Sequence, residues 1–109
     1  MSKEITIPFK THNTKSIDAS GTHLQGEIQT TYAKLKAMFG QPTDGDGYKV
    51  DAEWEIEFAD GTVATIYNYK DGKNYNGARG LAKTKITNWH IGGHSSKATD
   101  KLAELLAIK

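Results

Sequence analysis

The chain has 109 residues, of which 37% are hydrophobic and 25% are charged, and its formal net charge is +1. One core of this size needs no subdivision, so we expect residues 1–109 to fold as a single domain. The 14 basic residues balance 13 acidic ones and include a single Arg. This balance argues against a reader of duplex DNA, which needs a basic excess and Arg for base recognition, and equally against an acidic DNA mimic.

The absence of cysteine excludes disulfides, thiolate zinc sites and a cysteine nucleophile. No apolar run reaches the roughly 20 residues that a membrane span requires. The first ten residues, MSKEITIPFK, are charged and lack the apolar core of a signal peptide. We therefore expect a cytoplasmic protein that does not contact a membrane and carries no metal or other cofactor.

The N-terminal region shows little periodicity. Residues 5–9 predict a short edge strand that ends beside Pro8, because proline removes a ladder hydrogen bond. Residues 10–20 are polar and have no repeating pattern. Residues 1–21 are therefore a candidate flexible arm.

A strand followed by a helix is predicted next. Apolar and polar residues alternate over residues 22–28, which is typical of a half-buried strand. Thr30 or Thr31 is a suitable N-cap for a helix that continues to Phe39. The glycine and proline of FGQP then end that helix.

A β-hairpin is the clearest structural signal. In VDAEWEIEFADGTVATIYNYK, apolar residues alternate with acidic ones on both sides of a predicted two-residue turn, Asp60-Gly61. This turn would place Phe58 opposite Val63 and Trp54 opposite Tyr67, with Tyr67 in the core. The other face would carry Asp51, Glu53, Glu55, Glu57 and Ile66.

The last third predicts a polar loop, a strand and a helix. Residues 71–80 are rich in glycine and are long enough to form a mobile or functional loop. Residues 84–91 alternate weakly and predict a strand that Gly92-Gly93 stops. Ser95 or Ser96 then caps a helix with the apolar stripe Ala98, Leu102, Leu105 and Leu106.

The predicted order is β-β-α-β-β-β-α. It indicates an α+β fold in which two helices pack on one face of a four- to five-stranded antiparallel sheet. The other face, or an edge of the sheet, would remain open to solvent, to a partner or to a second copy in a homodimer.

Charge is segregated in the middle of the chain. Residues 44–60 hold seven carboxylates and one Lys, whereas residues 70–85 hold five cations and one Asp. This pattern is consistent either with a solvated sheet face beside a soluble loop or with a bipolar surface for a charged partner. The candidate protein-binding residues are Asp51, Glu53, Glu55, Glu57, Tyr69, Lys70, Lys73, Tyr75 and Arg79.

A second candidate site is the turn WHIGGHSS. Freed amides, serine hydroxyls and a stacking indole would together suit a phosphate or a nucleotide. The candidate residues are Trp89, Gly92, Gly93, His94, Ser95 and Ser96. The same pattern is also an ordinary way to pass from a strand into a helix, and it lacks the glycine spacing and the lysine of a P-loop.

Three stretches carry a resemblance to known proteins: FGQP, YKVDAEWEIEFADGTVATIYNYKDG and NWHIGGHS. In these stretches the chain resembles a group of small proteins encoded by bacteriophages, and the likeness runs from about Leu24 to Leu106. The resemblance implies a phage origin and expression in a bacterial cytoplasm. Small phage proteins of this kind often block a host component, as anti-CRISPR and other anti-defence proteins do, so the resemblance also implies an anti-defence role.

The sequence thus favours a non-enzymatic inhibitor or adaptor that binds a bacterial protein, because no catalytic set is recognisable. The alternative from another class is a sponge that sequesters a nucleotide immune signal at the WHIGGHSS turn. A third alternative is a small hydrolase or metal protein that acts through His90 and His94.

Overall fold

A computed structural model of the chain describes residues 8–45, 49–70 and 72–107. The strands are β1 (Phe9–Thr11), β2 (His23–Gln29), β3 (Glu53–Phe58), β4 (Val63–Tyr67) and β5 (Asn88–Gly93). The helices are α1 (Tyr32–Phe39), the single turn α2 (Lys73–Asn76) and α3 (Lys97–Ala107), with 3-10 turns at Gly77–Arg79 and Lys83–Lys85. None of the helices in the described ranges is long and apolar enough to cross a membrane.

The strands form one antiparallel sheet in the order β1-β3-β4-β5-β2. Buried side chains of α1 and α3 belong to the same hydrophobic cluster as those of the sheet, so both helices cover one side of it. This arrangement confirms the predicted α+β class. Residues 5–7 of the predicted first strand lie outside the described residues, and β1 begins at Phe9.

The helix α1 begins and ends where its sequence predicts. The Thr31 hydroxyl accepts a hydrogen bond from the Lys34 amide at 3.1 Å, which satisfies one amide of the first turn. Gly40 ends the helix with a φ of +86°, a backbone conformation that favours glycine.

Two tryptophans occupy the centre of the core, and both are fully buried. The Trp54 and Trp89 rings lie 5.4 Å apart, edge to face, and Tyr32 of α1 packs against both. The Trp54 indole N–H donates to the Gly40 carbonyl at 2.7 Å. The Trp89 indole N–H has no acceptor among the described residues, so the two similar rings differ in their hydrogen bonding.

The hairpin forms, but its predicted register is wrong by one residue. The loop has three residues, 59–61, because the Phe58 amide bonds to the Thr62 carbonyl at 2.8 Å and the Gly61 amide bonds back to the Phe58 carbonyl at 2.9 Å. Gly61 has a φ of +93°. Glycine thus takes the left-handed position of a three-residue hairpin and not the second position of a two-residue turn.

This shift exchanges the two faces of β4. Trp54 lies opposite Ile66, and Glu53 lies opposite Tyr67. Ile66 is therefore fully buried in the core, whereas Tyr67 lies half-buried beside the glutamates. The prediction that Tyr67 faces the core and Ile66 the acidic side is wrong, since a slip of one residue reverses every side chain of a strand.

The predicted end of the last strand is also wrong. β5 begins later than expected, at Asn88, and it contains the glycine pair that was expected to stop it. Gly92 pairs with Leu24 and Thr65, and Gly93 pairs with His23 and Ala64. The strand needs a glycine at position 93, because a Cβ there would collide with the Ala98 side chain of α3.

The segment between β1 and β2 crosses the sheet from one edge to the other. Lys15, within this segment, forms a 2.7 Å ion pair with Glu57, which lies on the side away from the helices. Gly21 approaches His94 at the end of β5. We call residues 12–22 the crossover strap. The structure thus places the described part of the candidate arm against the sheet, whereas residues 1–7 lie outside the described part.

Candidate functional site

The open face is the side of the sheet away from α1 and α3. A row of four residues crosses four strands there, each opposite the next in the register: Glu53, Tyr67, His90 and Glu27. Directly opposed side chains on one face have Cβ atoms about 5 Å apart. The row therefore brings together two carboxylates, a phenol and an imidazole.

Three glutamates of β3 point to the open face and are half-buried: Glu53, Glu55 and Glu57. The chain offsets the charge of Glu57 itself, because Lys10 lies opposite on β1 and Lys15 forms its ion pair there. No ion pair involves Glu27 or Glu55 in the described ranges. The charge of Glu57 is therefore offset by an ion pair within the chain, and Thr65, which lies opposite Glu55 on the same face, is almost fully buried.

An aromatic cluster adjoins these glutamates. The imidazole of His90 lies 5.6 Å from the Tyr67 ring and 5.6 Å from the Tyr69 ring, and it stacks on Tyr69 at 29°. Burial raises the pKa of the Tyr67 phenol, and the negative charge of Glu53 acts in the same direction. Tyr69 is 40% exposed and lies just beyond the end of β4, so the cluster offers an aromatic surface at that end of the sheet.

The basic lobe consists of residues 70–85, of which residue 71 lies outside the described part. The Lys70 ammonium lies 5.3 Å from the centroid of the Tyr69 ring and 5.4 Å from that of Tyr75. The lobe thus continues directly from the aromatic cluster, and Tyr69, Lys70, Lys73, Tyr75 and Arg79 are all exposed. Lys70 has a φ of +64°, an uncommon conformation for a residue with a side chain.

The predicted mobile or functional loop contains regular turns. Gly72 and Leu81 form a parallel bridge that closes the lobe at its base. A Cβ at Gly80 would collide with the Gly72 carbonyl, so the two arms meet at a contact that only glycine permits. Asn76 Nδ2 donates to the Lys70 carbonyl at 2.7 Å and holds that strained residue in place.

Asp51 differs from the other predicted acidic residues because its carboxylate is hydrogen-bonded within the chain. Its carboxylate accepts from Asn68 Nδ2 at 2.9 Å and from the Asn74 amide at 3.1 Å. It also occupies the space where Gly72 would carry a Cβ. Asp51 therefore attaches the basic lobe to the sheet, while the three glutamates of β3 remain on the open face.

Asn68 supports the site from below the surface, a role that its place in the sequence does not indicate. It is fully buried, and its side-chain oxygen accepts from the amides of Asp51 and Ala52 at 2.7 and 3.1 Å. In the sequence it follows Tyr67 as one more polar residue at a strand end. A buried amide that bonds to the neighbouring strand becomes visible only once the register is known.

The proposed nucleotide turn does not have the expected geometry. Trp89 is fully buried, so it offers no ring face to a base. Gly92 and Gly93 are paired on both sides within the sheet, so their amides are not freed for a phosphate. The remaining residues, His94, Ser95 and Ser96, are exposed, and the Ser95 hydroxyl accepts from the Lys97 amide at 3.2 Å as α3 begins. This part of the chain is an ordinary strand-to-helix connection.

Within the part of the chain that the structure describes, the histidines do not form a metal site. Across residues 8–45, 49–70 and 72–107, no group of three or more His, Asp or Glu side chains is positioned to bind a metal ion. His90 lies in the aromatic cluster, whereas His94 lies beyond the other end of β5, near Gly21. The two histidines of the hydrolase hypothesis are therefore not brought together.

Comparisons with protein-family models and with curated protein sequences found no match to this chain. The function must therefore be inferred from the open face and the basic lobe themselves.

Proposed function

We propose that this chain is a non-catalytic binding protein that inhibits a bacterial host protein through its open face. The observation that carries the proposal is the row Glu53, Tyr67, His90 and Glu27, which combines negative charge with aromatic surface. Aromatic side chains provide contact area with little loss of rotamer freedom, and charge complementarity guides association.

The charge of the face favours a basic partner. Glu27 and Glu55 have no ion-pair partner in the described part of the chain, whereas Glu57 is offset by Lys15. An Arg or Lys of the partner would relieve the repulsion among the glutamates and could pack on the exposed Tyr69 ring. We therefore propose a basic protein surface, rich in arginine, as the target of the face.

The resemblance to small bacteriophage proteins supports the biological setting. Under this proposal the chain acts in the cytoplasm of an infected bacterium. There it binds and inhibits a component of a defence system, as anti-CRISPR proteins do. Stoichiometric binding, without turnover, would then be sufficient for inhibition.

The experiment is capture from bacterial lysate with three forms of the chain. The wild type and the D100K/E104K variant, whose changes lie on exposed positions of α3, should capture the same basic protein in a 1:1 complex. The E27K/E55K variant makes the same charge change on the open face. Its affinity for the captured protein should be lower by at least about tenfold. The proposal would be contradicted if all three forms captured the protein equally. It would also be contradicted if the wild type captured no protein at a 1:1 ratio.

A further inference from the structure

We propose that the basic lobe binds a single-stranded nucleic acid, with phosphates against its cations and a base stacked on its exposed tyrosine. This surface adjoins the open face that we assign to a host protein, but it is built from other residues. The charge of the lobe, its exposed side chains and its internal contacts support the assignment.

The basic lobe lies in a region of the chain without acidic residues. From Gly72 to Thr99 the sequence has no Asp or Glu. The cations of the lobe in this stretch are Lys73, Arg79, Lys83 and Lys85. In the described part of the chain, no ion pair involves any of these four cations. Of the two aspartates at the base of the lobe, Asp51 is hydrogen-bonded within the chain, and Asp71 lies outside the described residues. The lobe is therefore a local concentration of positive charge, although the whole chain carries only +1.

Aromatic and apolar surface is exposed among these cations. In the described ranges four large hydrophobic side chains are exposed, and three of them belong to the lobe or its border: Tyr69, Tyr75 and Leu81. The Tyr75 ring is 39% exposed, and its centroid lies 5.4 Å from the Lys70 ammonium. Bases of a single strand stack on aromatic rings with little regard to sequence, while Lys and Arg neutralise the phosphates. An exposed ring among cations therefore favours a single strand over an acidic peptide, which has no base to stack.

Internal contacts hold the lobe in one shape before a ligand binds. The bridge between Gly72 and Leu81 closes its base, and Asn76 Nδ2 donates to the Lys70 carbonyl at 2.7 Å. The Asn74 amide donates to the Asp51 carboxylate at 3.1 Å. A loop that is already ordered loses less conformational entropy on binding than one that must fold around its ligand.

Acidic residues of the open face limit where the strand can lie. Glu53 and Glu27 stand in the row that crosses the open face, and they would repel phosphates. On the other side of the lobe, α1 packs beside the 3-10 turn Lys83–Lys85, and residues 28–43 also contain no Asp or Glu. We therefore expect the strand to run from Tyr75 towards this turn and α1, away from the open face.

The test is fluorescence anisotropy of labelled oligonucleotides of about 12 nucleotides, titrated with the full chain. The probes are oligo(dT) and oligo(U), and at about 50 mM salt we expect a Kd between about 1 and 100 µM. The logarithm of the binding constant should fall with the logarithm of the salt concentration, with a slope of about −0.7 for each phosphate neutralised. Binding of either strand supports the proposal, and the tighter one shows whether DNA or RNA is preferred.

Two further probes separate this ligand from other polyanions. A labelled duplex of about 12 base pairs presents phosphates but no unstacked base, and polyglutamate presents charge without bases. Both should bind at least about tenfold more weakly than the single strands.

Single charge reversals test the position of the surface. The lobe variants are K73E, R79E and K85E, and the control is K97E. Lys73 and Lys97 are both exposed, and each is the first residue of a helix, but Lys97 follows β5 whereas the lobe precedes it. Each lobe variant should lower the affinity at least about threefold and make the salt slope shallower by about 0.7. K97E has the same net charge and should bind within about twofold of the wild type.

Replacement of Tyr75 tests the stacking. Y75F keeps the ring and should bind like the wild type. Y75A should lower the affinity at least about fivefold without changing the salt slope, because stacking neutralises no phosphate.

Four results would overturn the proposal. The first is a wild type that binds neither single strand at about 100 µM chain and low salt. The second is duplex or polyglutamate binding as tight as that of the single strands. The others are a loss in K97E as large as in the lobe variants, and equal affinities of Y75A and Y75F. Because these probes contain no host protein, nucleic-acid binding can fail while lysate capture succeeds, and the reverse also holds.

Discussion

Asn68 and Asp51 connect two segments of the chain through two hydrogen bonds. The buried Asn68 side chain donates through Nδ2 to the Asp51 carboxylate at 2.9 Å, and its Oδ1 accepts a hydrogen bond from the Asp51 backbone amide at 2.7 Å. Each residue thus supplies both a donor and an acceptor to the other. Their contact connects the start of β3, the end of β4 and, through Asp51, the base of the basic lobe.

The N68A substitution should lower the free energy of unfolding by about 2–4 kcal/mol, because it leaves the buried amide of Ala52 and the part-buried amide of Asp51 without their acceptor. Chemical denaturation measures this change. N88A is the matched control, since Asn88 bonds to Gln29 at an exposed position, and it should cost less than about 1 kcal/mol. Equal losses in the two variants would show that Asn68 does not hold the segments together.

The G80A substitution should loosen the basic lobe, because a Cβ at position 80 collides with the Gly72 carbonyl. Amide hydrogen exchange should increase over residues 72–81 more than in β3 and β4, since the collision acts locally. G77A is the control: Gly77 has a φ of +63° but open space around it, so only backbone strain of about 1 kcal/mol is expected. Unchanged exchange in G80A would contradict the close approach.

Stability at alkaline pH should depend on Tyr67. Burial and Glu53 raise the pKa of its phenol in the folded chain, so the folded state holds this proton more tightly than the unfolded state. The resulting stabilisation is present below the ordinary tyrosine pKa of 10.0 and is lost as the pH rises through the folded value. The wild type should therefore lose more stability than Y67F between about pH 9 and 11.5, measured by urea denaturation. If the stability of the wild type and of Y67F fell in parallel over this pH range, the pKa of Tyr67 would not be raised in the folded chain.

The two core tryptophans should respond differently to replacement by phenylalanine. W54F removes the donor to the Gly40 carbonyl, whereas W89F removes an indole N–H that has no acceptor among the described residues. Both rings are fully buried, so the loss of volume is similar. We expect W54F to cost about 1–2 kcal/mol more than W89F in thermal or chemical unfolding. A larger cost for W89F would be inconsistent with this difference.

Much of the fold follows from the sequence because its signals are local. Alternation identifies β3 and β4, and the cap at Thr31 identifies α1, since each depends on residues close in the chain. The register of the hairpin depends on whether glycine occupies a two- or three-residue loop, and Asp60-Gly61 is compatible with both. Ile66 was the available clue, because a large apolar residue on an acidic face conflicts with the predicted register.

The candidate site was only partly predictable. Tyr69, Lys70 and the glutamates of β3 were identified by charge and aromatic content, which are visible in composition. His90 and Glu27 come from distant segments, and only the pairing of β4, β5 and β2 places them in one row. Trp89 was misassigned because a tryptophan before a glycine pair looks the same in sequence whether it faces solvent or the core.

The strand order β1-β3-β4-β5-β2 also constrains how this chain can be synthesised. The middle of the sheet comes from β3, β4 and β5, whereas both edges come from strands that precede them in the chain. β2 is translated before β3 and β4, but its only neighbour in the described sheet, β5, follows both of them. The nascent protein must therefore carry an unpaired edge strand until β5 has been translated, and the sheet can close only after that point.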